Sequence, residues 1–289
     1  MPLRYSLLGV QIPGMVRELW QFGEPSLGAQ NGMQHVGLRT TPKGLGGAPF
    51  EHVRQRNARS TRSTWRGRND GINTIGLDVK LGPTHLGDDA VALHTRWRNS
   101  LGRGEELLEF RVESPGVYGY RFQYVRLEAA MPDPDYFLLE IAGEAFEECT
   151  LGSDETYWRG NVHTETFAPT ATAGLRAFAD ADVYNEGDVD TWGEYLLRGP
   201  GSYTIGTGAD TVTLPTLAAG AVWDIGTDPE DFYIRDAQGV DRGELVGAKA
   251  WFMPILARTD TALVITATGT NADSRVEYTM PTYFQRAAA

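Results

Sequence analysis

The sequence predicts a mainly β protein of two domains: an N-terminal β-sandwich unit carrying one packed helix at about 88–101, then a C-terminal jelly-roll β-sandwich. Three observations lead there. The 34 glycines and 15 prolines among 289 residues place turns at short intervals, which suits many short strands. Apolar residues alternate with polar ones in stretch after stretch, whereas a helical period occurs once. Charge is divided unevenly: residues 1–126 hold 17 basic against 11 acidic side chains, and residues 127–289 hold 9 against 27. Such asymmetry fits two domains with different surroundings, expected at 1–160 and 161–289. The boundary itself is expected within 154–167, where polar residues and Pro169 interrupt the strand pattern.

The elements follow in order. Residues 18–22 predict an edge strand and 44–49 (GLGGAP) a flexible loop. Over 70–82 the period of two is clear, with Ile75, Leu77, Val79 and Leu81 on one face. At 88–101 the period changes: Ala90, Leu93, Trp97 and Leu101 share one helical face. Asp88 and Asp89 in the first turn and Arg96 and Arg98 near the end suit the helix dipole, and Gly102 stops it. His94, beside that face, reads as packed or exposed and not as a ligand. Strands are expected again at 107–113, 117–128 and 136–142, the first two joined by a turn at 114–116. The second domain predicts strands at 174–184, 191–198, 202–206, 210–214, 220–226, 231–236, 244–247, 261–268 and 274–284. Its expected core is Val222, Trp223, Ile225, Phe232, Ile234, Trp251, Leu263, Val264 and Ile265.

Composition narrows function. With 41% hydrophobic and 10% aromatic residues the chain is a folded one. No apolar run approaches the roughly 18 residues that span a bilayer, and MPLRYSLLGVQIPGM lacks the apolar region of a secretory signal. The one cysteine, Cys149, excludes an intrachain disulfide and a multi-cysteine zinc site, and reads as a half-buried small hydrophobe. A net charge of −12 speaks against a protein that coats nucleic acid.

Catalytic and metal signatures are missing. Glu105-Glu106, Glu147-Glu148 and Glu230-Asp231 are adjacent pairs, read as solvated charge at strand ends, not as carboxylates held across a cleft. From Asp180 a calcium loop would need Gly at its sixth position and Glu at its twelfth; Asn185 and Thr191 stand there. The acids Asp224, Asp228, Glu230 and Asp231 lack that spacing too. His35, His52, His85, His94 and His163 form no zinc-binding pair, and no GxSxG elbow occurs. No enzyme and no cofactor are expected.

One stretch does suggest binding. Residues 54–68 (RQRNARSTRSTWRGR) hold six arginines, a tryptophan and no acid. Arg54, Arg56, Arg59, Arg62, Trp65, Arg66 and Arg68 are residue types favoured at protein interfaces. The same composition fits a solvated arm or hairpin, or contact with a nucleic-acid backbone, which the acidic remainder of the chain disfavours.

Two longer patterns carry a resemblance: NEGDVDTW…LRGPG over 185–201 and LPTLAAGAVWDIGTDPEDFYIRDAQG over 214–239, with Met280-Pro281-Thr282-Tyr283 closing. They resemble the C-terminal domain of siphophage distal tail proteins, over about 165–289. Gly193 departs from the pattern, which usually has proline after the aromatic. The resemblance implies a virion protein of the tail tip. In that family an N-terminal belt domain, here 1–160, forms a hexameric ring. A galectin-like β-sandwich, here 161–289, hangs outside it. The ring joins the tail tube to the central hub and tape-measure complex, and to fibres or other minor tail proteins. Assembly is expected in the host cytoplasm, and the arginine, alanine and glycine bias suggests a GC-rich, actinobacterial host. The arginine-rich stretch is then expected to supply one interface patch. The acids Glu128, Asp133, Asp135, Glu140, Glu144, Glu147, Glu148, Asp154 and Glu155 are expected to supply its complement. The competing expectation is a carbohydrate-binding adhesion module that stacks sugars on Trp192, Tyr195, Trp223 or Tyr233.

Overall fold

The computed structural model describes residues 3–11, 16–22, 36–56, 63–83, 85–114, 119–172, 174–208, 210–246 and 253–288. It divides into two compact units, 1–159 with 285–289, and 160–284. The fold is mainly β, as the turn-rich sequence predicts.

The first unit contains β1 (Arg4–Leu8), β2 (Leu19–Phe22), β3 (Val36–Leu38), β4 (Phe50–Arg56), β5 (Ser63–Asp70), β6 (Thr74–Leu81), α1 (Asp88–Ser100), β7 (Leu108–Glu113), β8 (Arg121–Leu127), α2 (Tyr136–Ala142), β9 (Ala145–Ser153) and β10 (Trp158–Arg159). The strands of its antiparallel sheet run in the order β2-β1-β7-β8-β9-β6-β3, with β2 at its edge and β10 pairing with β8 beside this path. The end strands β2 and β3 approach each other, so the sheet curls toward a barrel. Its inward row on β6 is Ile75, Leu77, Val79 and Leu81, all buried. Helix α1 seals this core. Trp97 meets Trp20 edge-on at 5.3 Å and Phe22 at 5.9 Å, and Trp20 Nε1 donates to Ser100 Oγ at 2.7 Å. The loop before β4 is tied to its surroundings by backbone hydrogen bonds: Lys43 N donates to Gly76 O, and Ala287 N to Leu45 O.

Two expectations in this unit are corrected. Residues 136–142 are helix α2, not a strand. Asp135 caps it by accepting from Leu138 N at 3.1 Å. Gly143 ends it at φ 66, where any Cβ would collide with His85 O at 1.9 Å. The next strand, β9, has no counterpart among the expected strands. Ala145, Glu147, Cys149 and Leu151 point inward, so Glu147 is buried and not solvated at a strand end. His94 Nε2 lies 2.6 Å from its Oε1, and Arg98 Nη2 2.9 Å from the same oxygen. Beside it, burial and the Glu147 charge push the Cys149 thiol up to about 12. Cys149 is therefore expected to resist a thiol-exchange reagent at pH 8 in the native chain and to react fully in denaturant. A thiol titration under both conditions checks this.

The second unit contains β11 (His163–Ala168), β12 (Arg176–Ala177), β13 (Asp182–Tyr184), β14 (Glu194–Arg198), β15 (Ser202–Thr207), β16 (Asp210–Thr213), β17 (Val222–Gly226), β18 (Tyr233–Asp236), β19 (Asp260–Thr268), β20 (Arg275–Met280) and β21 (Tyr283–Phe284). Two sheets, β12-β11-β20-β14-β17-β18 and β13-β19-β15-β16, enclose one core and make a β-sandwich. Phe167, Tyr195, Leu197, Ile225, Ile234, Val276 and Tyr278 come from one sheet; Val183, Tyr203, Ile205, Val212, Leu263 and Ile265 come from the other. Of the expected core, Trp223 and Phe232 pack against it half-buried, Val222 and Val264 are half-buried, and Trp251 lies outside the described residues.

Three strand expectations change. The polar stretch 163–168, assigned to the boundary, is β11, paired with β20 over His163–Phe167. The stretch 174–184 breaks around a 3-10 turn at Phe178–Asp180, because the Arg176 guanidinium curls the chain by donating to Glu165, the Asp180 carbonyl and Asp182. Of the stretch expected as a strand at 244–247, the described residues belong to a 3-10 turn, Gly243–Val246.

The segment before β14 is a buried clasp. Asn185 is fully enclosed: its Nδ2 donates to Val189 O at 3.0 Å and Ile255 O at 3.2 Å, and its Oδ1 accepts from Gly187 N at 2.9 Å. Asp188 N donates to Tyr283 O, Thr191 Oγ1 to Pro281 O, and Asp190 Oδ1 accepts from Ala257 N. These groups build a turn and hold the chain around 255–259 and 281–283. Gly193 has a local cause as well. A Cβ there would stand 2.1 Å from the buried Tyr278 hydroxyl, so no larger residue fits while Tyr278 packs on Tyr195 at 4.8 Å.

Candidate assembly surface

Two surfaces in the first unit stand out, and they differ in chemistry. The first is the β4–β5 hairpin, a two-stranded sheet of its own. Every described residue in it except Gly67 is exposed. An isolated two-stranded hairpin is marginal in water. Here it displays large apolar side chains besides: Trp65 is 60% exposed and Phe50 51%.

The register sorts its side chains. Phe50 pairs with Asp70, His52 with Arg68, Arg54 with Trp65 and Arg56 with Ser63, with a bulge between Val53 and Arg54. Alternation puts Phe50, His52, Arg54, Arg56, Trp65 and Arg68 on one face. Contacts tie that face together. Trp65 Nε1 donates to His52 Nδ1 at 3.1 Å, and the Arg68 guanidinium sits 4.2 Å above the Phe50 ring. Arg68 also pairs with Asp70, whose other oxygen accepts from the Tyr157 hydroxyl at 3.3 Å. Arg66 turns to the opposite face, donating to Gln55 Oε1 at 2.7 Å. Arg59 and Arg62 lie outside the described residues. The structure thus gathers Arg54, Arg56, Trp65 and Arg68 and separates Arg66 from them.

The second surface is the outer side of α2. Leu139 turns inward, while Phe137 and Ile141, one turn apart, are 73% and 63% exposed. Leu86, 65% exposed, lies against the end of this helix, near Gly143. Gly87 N donates to Glu140 O at 3.1 Å, which brings the start of α1 and its exposed Asp88 and Asp89 alongside. Asp133, Asp135 and Glu140 are exposed around the same helix. The sequence does not mark this apolar patch, because a short, nearly all-apolar run such as YFLLEIA fits a strand as well as a helix.

The expected acidic complement does not hold as one patch. Glu147 is buried under α1, Glu144 pairs with Lys80, Asp154 with Arg126 and Glu155 with Arg159. In the second unit the sugar-stacking candidates are tied up: Tyr195 is core, Trp223 packs half-buried on the core, and Arg235 lies 4.1 Å over the Tyr233 ring. Trp192 is half-buried and takes part in further contacts. At the foot of the hairpin, a cavity of about 80 Å³ is lined by Gly47, Phe50, Arg68, Tyr157 and Gln285 among others. That is small beside the roughly 300–1,000 Å³ of ligand pockets. Among the described residues no three His, Cys, Asp or Glu side chains are grouped to hold a metal ion, and no described helix is long and apolar enough to cross a membrane.

No family model and no curated protein matches this chain. Solved structures do. The chain is similar in fold to the crystal structure of the Dit (gp 19.1) protein of phage SPP1, with a TM-score of 0.62 at 10% identity, over 85% of this chain and 93% of that one. That protein is described as a paradigm of the hub adsorption apparatus in phages infecting Gram-positive bacteria. This chain is also similar to a chain of the phage P2 baseplate in its activated conformation with Ca, with a TM-score of 0.53 at 10% identity over 98% of both chains. The same baseplate with Sr gives 0.53 at 10% identity, over 97% of this chain and 98% of that one. At 10% identity these matches establish the fold, a mainly β fold shared with phage hub and baseplate proteins.

Proposed function

We propose that this chain is a structural virion protein of the phage tail tip, a distal tail protein of a siphophage with a GC-rich host. Its first unit, the belt, joins six copies into a ring that links the tail tube to the central hub, the tape-measure complex and the fibres. Its second unit, a galectin-like sandwich, lies outside that ring. The protein is assembled in the host cytoplasm and catalyses no reaction. One observation carries this reading: a single chain covers 93% of the SPP1 hub protein at a TM-score of 0.62. The hairpin and the α2 face support it, because a closed ring needs two different patches on each subunit. Negative-stain imaging of virions labelled with an antibody to this chain tests it. A six-fold ring labelled at the distal end of the tail is expected. Label elsewhere on the particle, or none, overturns the reading.

A further inference from the structure

We propose that the β4–β5 hairpin of one copy docks on the outer face of α2 of a second copy. The inference rests on the ring reading and names the contact that would build it.

Placement supports this first. β6 pairs with β9 from Thr74↔Gly152 to Leu81↔Ala145. The hairpin is rooted at the Thr74 end, where Gly71 N donates to Pro49 O at 2.7 Å. Helix α2 runs into β9 at the Leu81 end. Seven strand steps at about 3.3 Å separate the two roots, or about 23 Å. Two unlike surfaces at opposite ends of one strand pair are the geometry of a head-to-tail contact, not of a two-fold one.

Chemistry supports it second. The hairpin face offers Phe50 and Trp65 among Arg54, Arg56 and Arg68. The α2 face offers Phe137, Ile141 and Leu86 among Asp88, Asp89, Asp133, Asp135 and Glu140. Both have an apolar centre and a charged rim, and the rims are opposite in sign. Apolar centres provide affinity, with Trp and Arg the most frequent energetic anchors. Opposite rims speed encounter and set register. A second hairpin could not take the place of the α2 face as receptor, since two arginine-rich faces repel. Docking also gives the two-stranded hairpin the packing that it lacks alone.

The test uses the full chain in two variants. One carries Phe137→Glu and Ile141→Glu, the other Trp65→Ala and Arg68→Glu; all four positions are solvent-facing, so folding is retained, which thermal unfolding verifies. By sedimentation velocity each variant is expected to self-associate about 30-fold or more weakly than wild type. Mixing them restores one intact hairpin and one intact α2 face, so dimers form and nothing larger does. A third chain with Trp65→Cys and Phe137→Cys is expected to give an intermolecular ladder on oxidation, undisturbed by the buried Cys149. Variants that associate like wild type overturn the docking, as does a wild-type chain that stays monomeric at high concentration together with a cysteine chain that gives no ladder. Neither result touches the ring on virions. An absent ring there, with the docking intact, overturns only the ring reading.

Discussion

Asn185→Asp is expected to destabilise the second unit by about 4 kcal/mol at neutral pH, the joint cost of two lost donors and an enclosed charge. Asn185 Nδ2 donates to the Val189 and Ile255 carbonyls inside a site of 0% exposure. The substitution aims a carboxylate oxygen at two carbonyl oxygens, so three acceptors face one another with no proton among them. Protonation relieves this by returning one donor. The introduced carboxyl therefore has a higher pKa folded than unfolded, and the folded state binds the proton more tightly. Linkage fixes the sign: the variant is least impaired below the unfolded value of about 4, and loses stability as pH rises above it. Asn185→Ala removes the same bonds without adding charge, and its smaller deficit, about 2 kcal/mol, should be independent of pH. Urea unfolding of both variants between pH 4 and pH 8 checks this. Equal, flat deficits would mean that the side chain is replaced by water and that the clasp is not closed.

The outcome bears on how the resemblance should be read. The run from Asp180 to Asp190 is rich in acids, like a calcium loop, but has Asn185 at its sixth position and Thr191 at its twelfth. Asn185, Asp190 and Thr191 instead bind backbone groups: Asn185 ties 189 and 255, Asp190 ties 257, and Thr191 ties 281. A motif of this kind records how the sandwich is closed, which is why it identifies a fold better than a ligand.

Local signals were legible wherever a local rule decides the structure. The period of two in β6 placed four core residues correctly. In α1 the period of 3.6 and Gly102, at φ 69, gave the helix and its end. A hairpin is one of the readings that the composition of 54–68 allows, because six arginines in one run do not fit core positions. Tertiary pairing was not legible. YFLLEIA is apolar nearly throughout, and such a short run reads equally as strand or helix. Its caps, Asp135 and Gly143, held the answer. In β9 a glutamate at an inward position broke the alternation, and its partners His94 and Arg98 lie about 50 residues away. With α2 and β9 unread, the α2 half of the candidate assembly surface stays hidden, whereas composition alone singles out the arginine-rich stretch.

Glu147→Ala is expected to cost about 3 kcal/mol, since removing one member of a buried ionic cluster leaves the others without their partner. Glu147 is 1% exposed and holds two elements at once: His94 Nε2 at 2.6 Å, and Arg98 through Nε at 3.2 Å and Nη2 at 2.9 Å. Arg98 in turn donates to the Pro132 carbonyl, in the loop that leads into α2. The cluster therefore fixes α1 on β9 and sets the approach to the helix that carries Phe137 and Ile141. Glu147→Gln keeps an acceptor for Arg98 and should lose about half as much. A double-mutant cycle with His94→Ala separates the pair from the rest: the coupling is expected to exceed about 1 kcal/mol, and an additive result would mean that His94 and Glu147 are merely neighbours. The same Ala substitution should weaken hairpin docking without altering any docking residue, because a looser α2 presents its apolar face less often in the binding geometry. Comparing its self-association with that of the Phe137 and Ile141 variant tells positioning from contact. Loss of stability with association unchanged would place the cluster in folding alone.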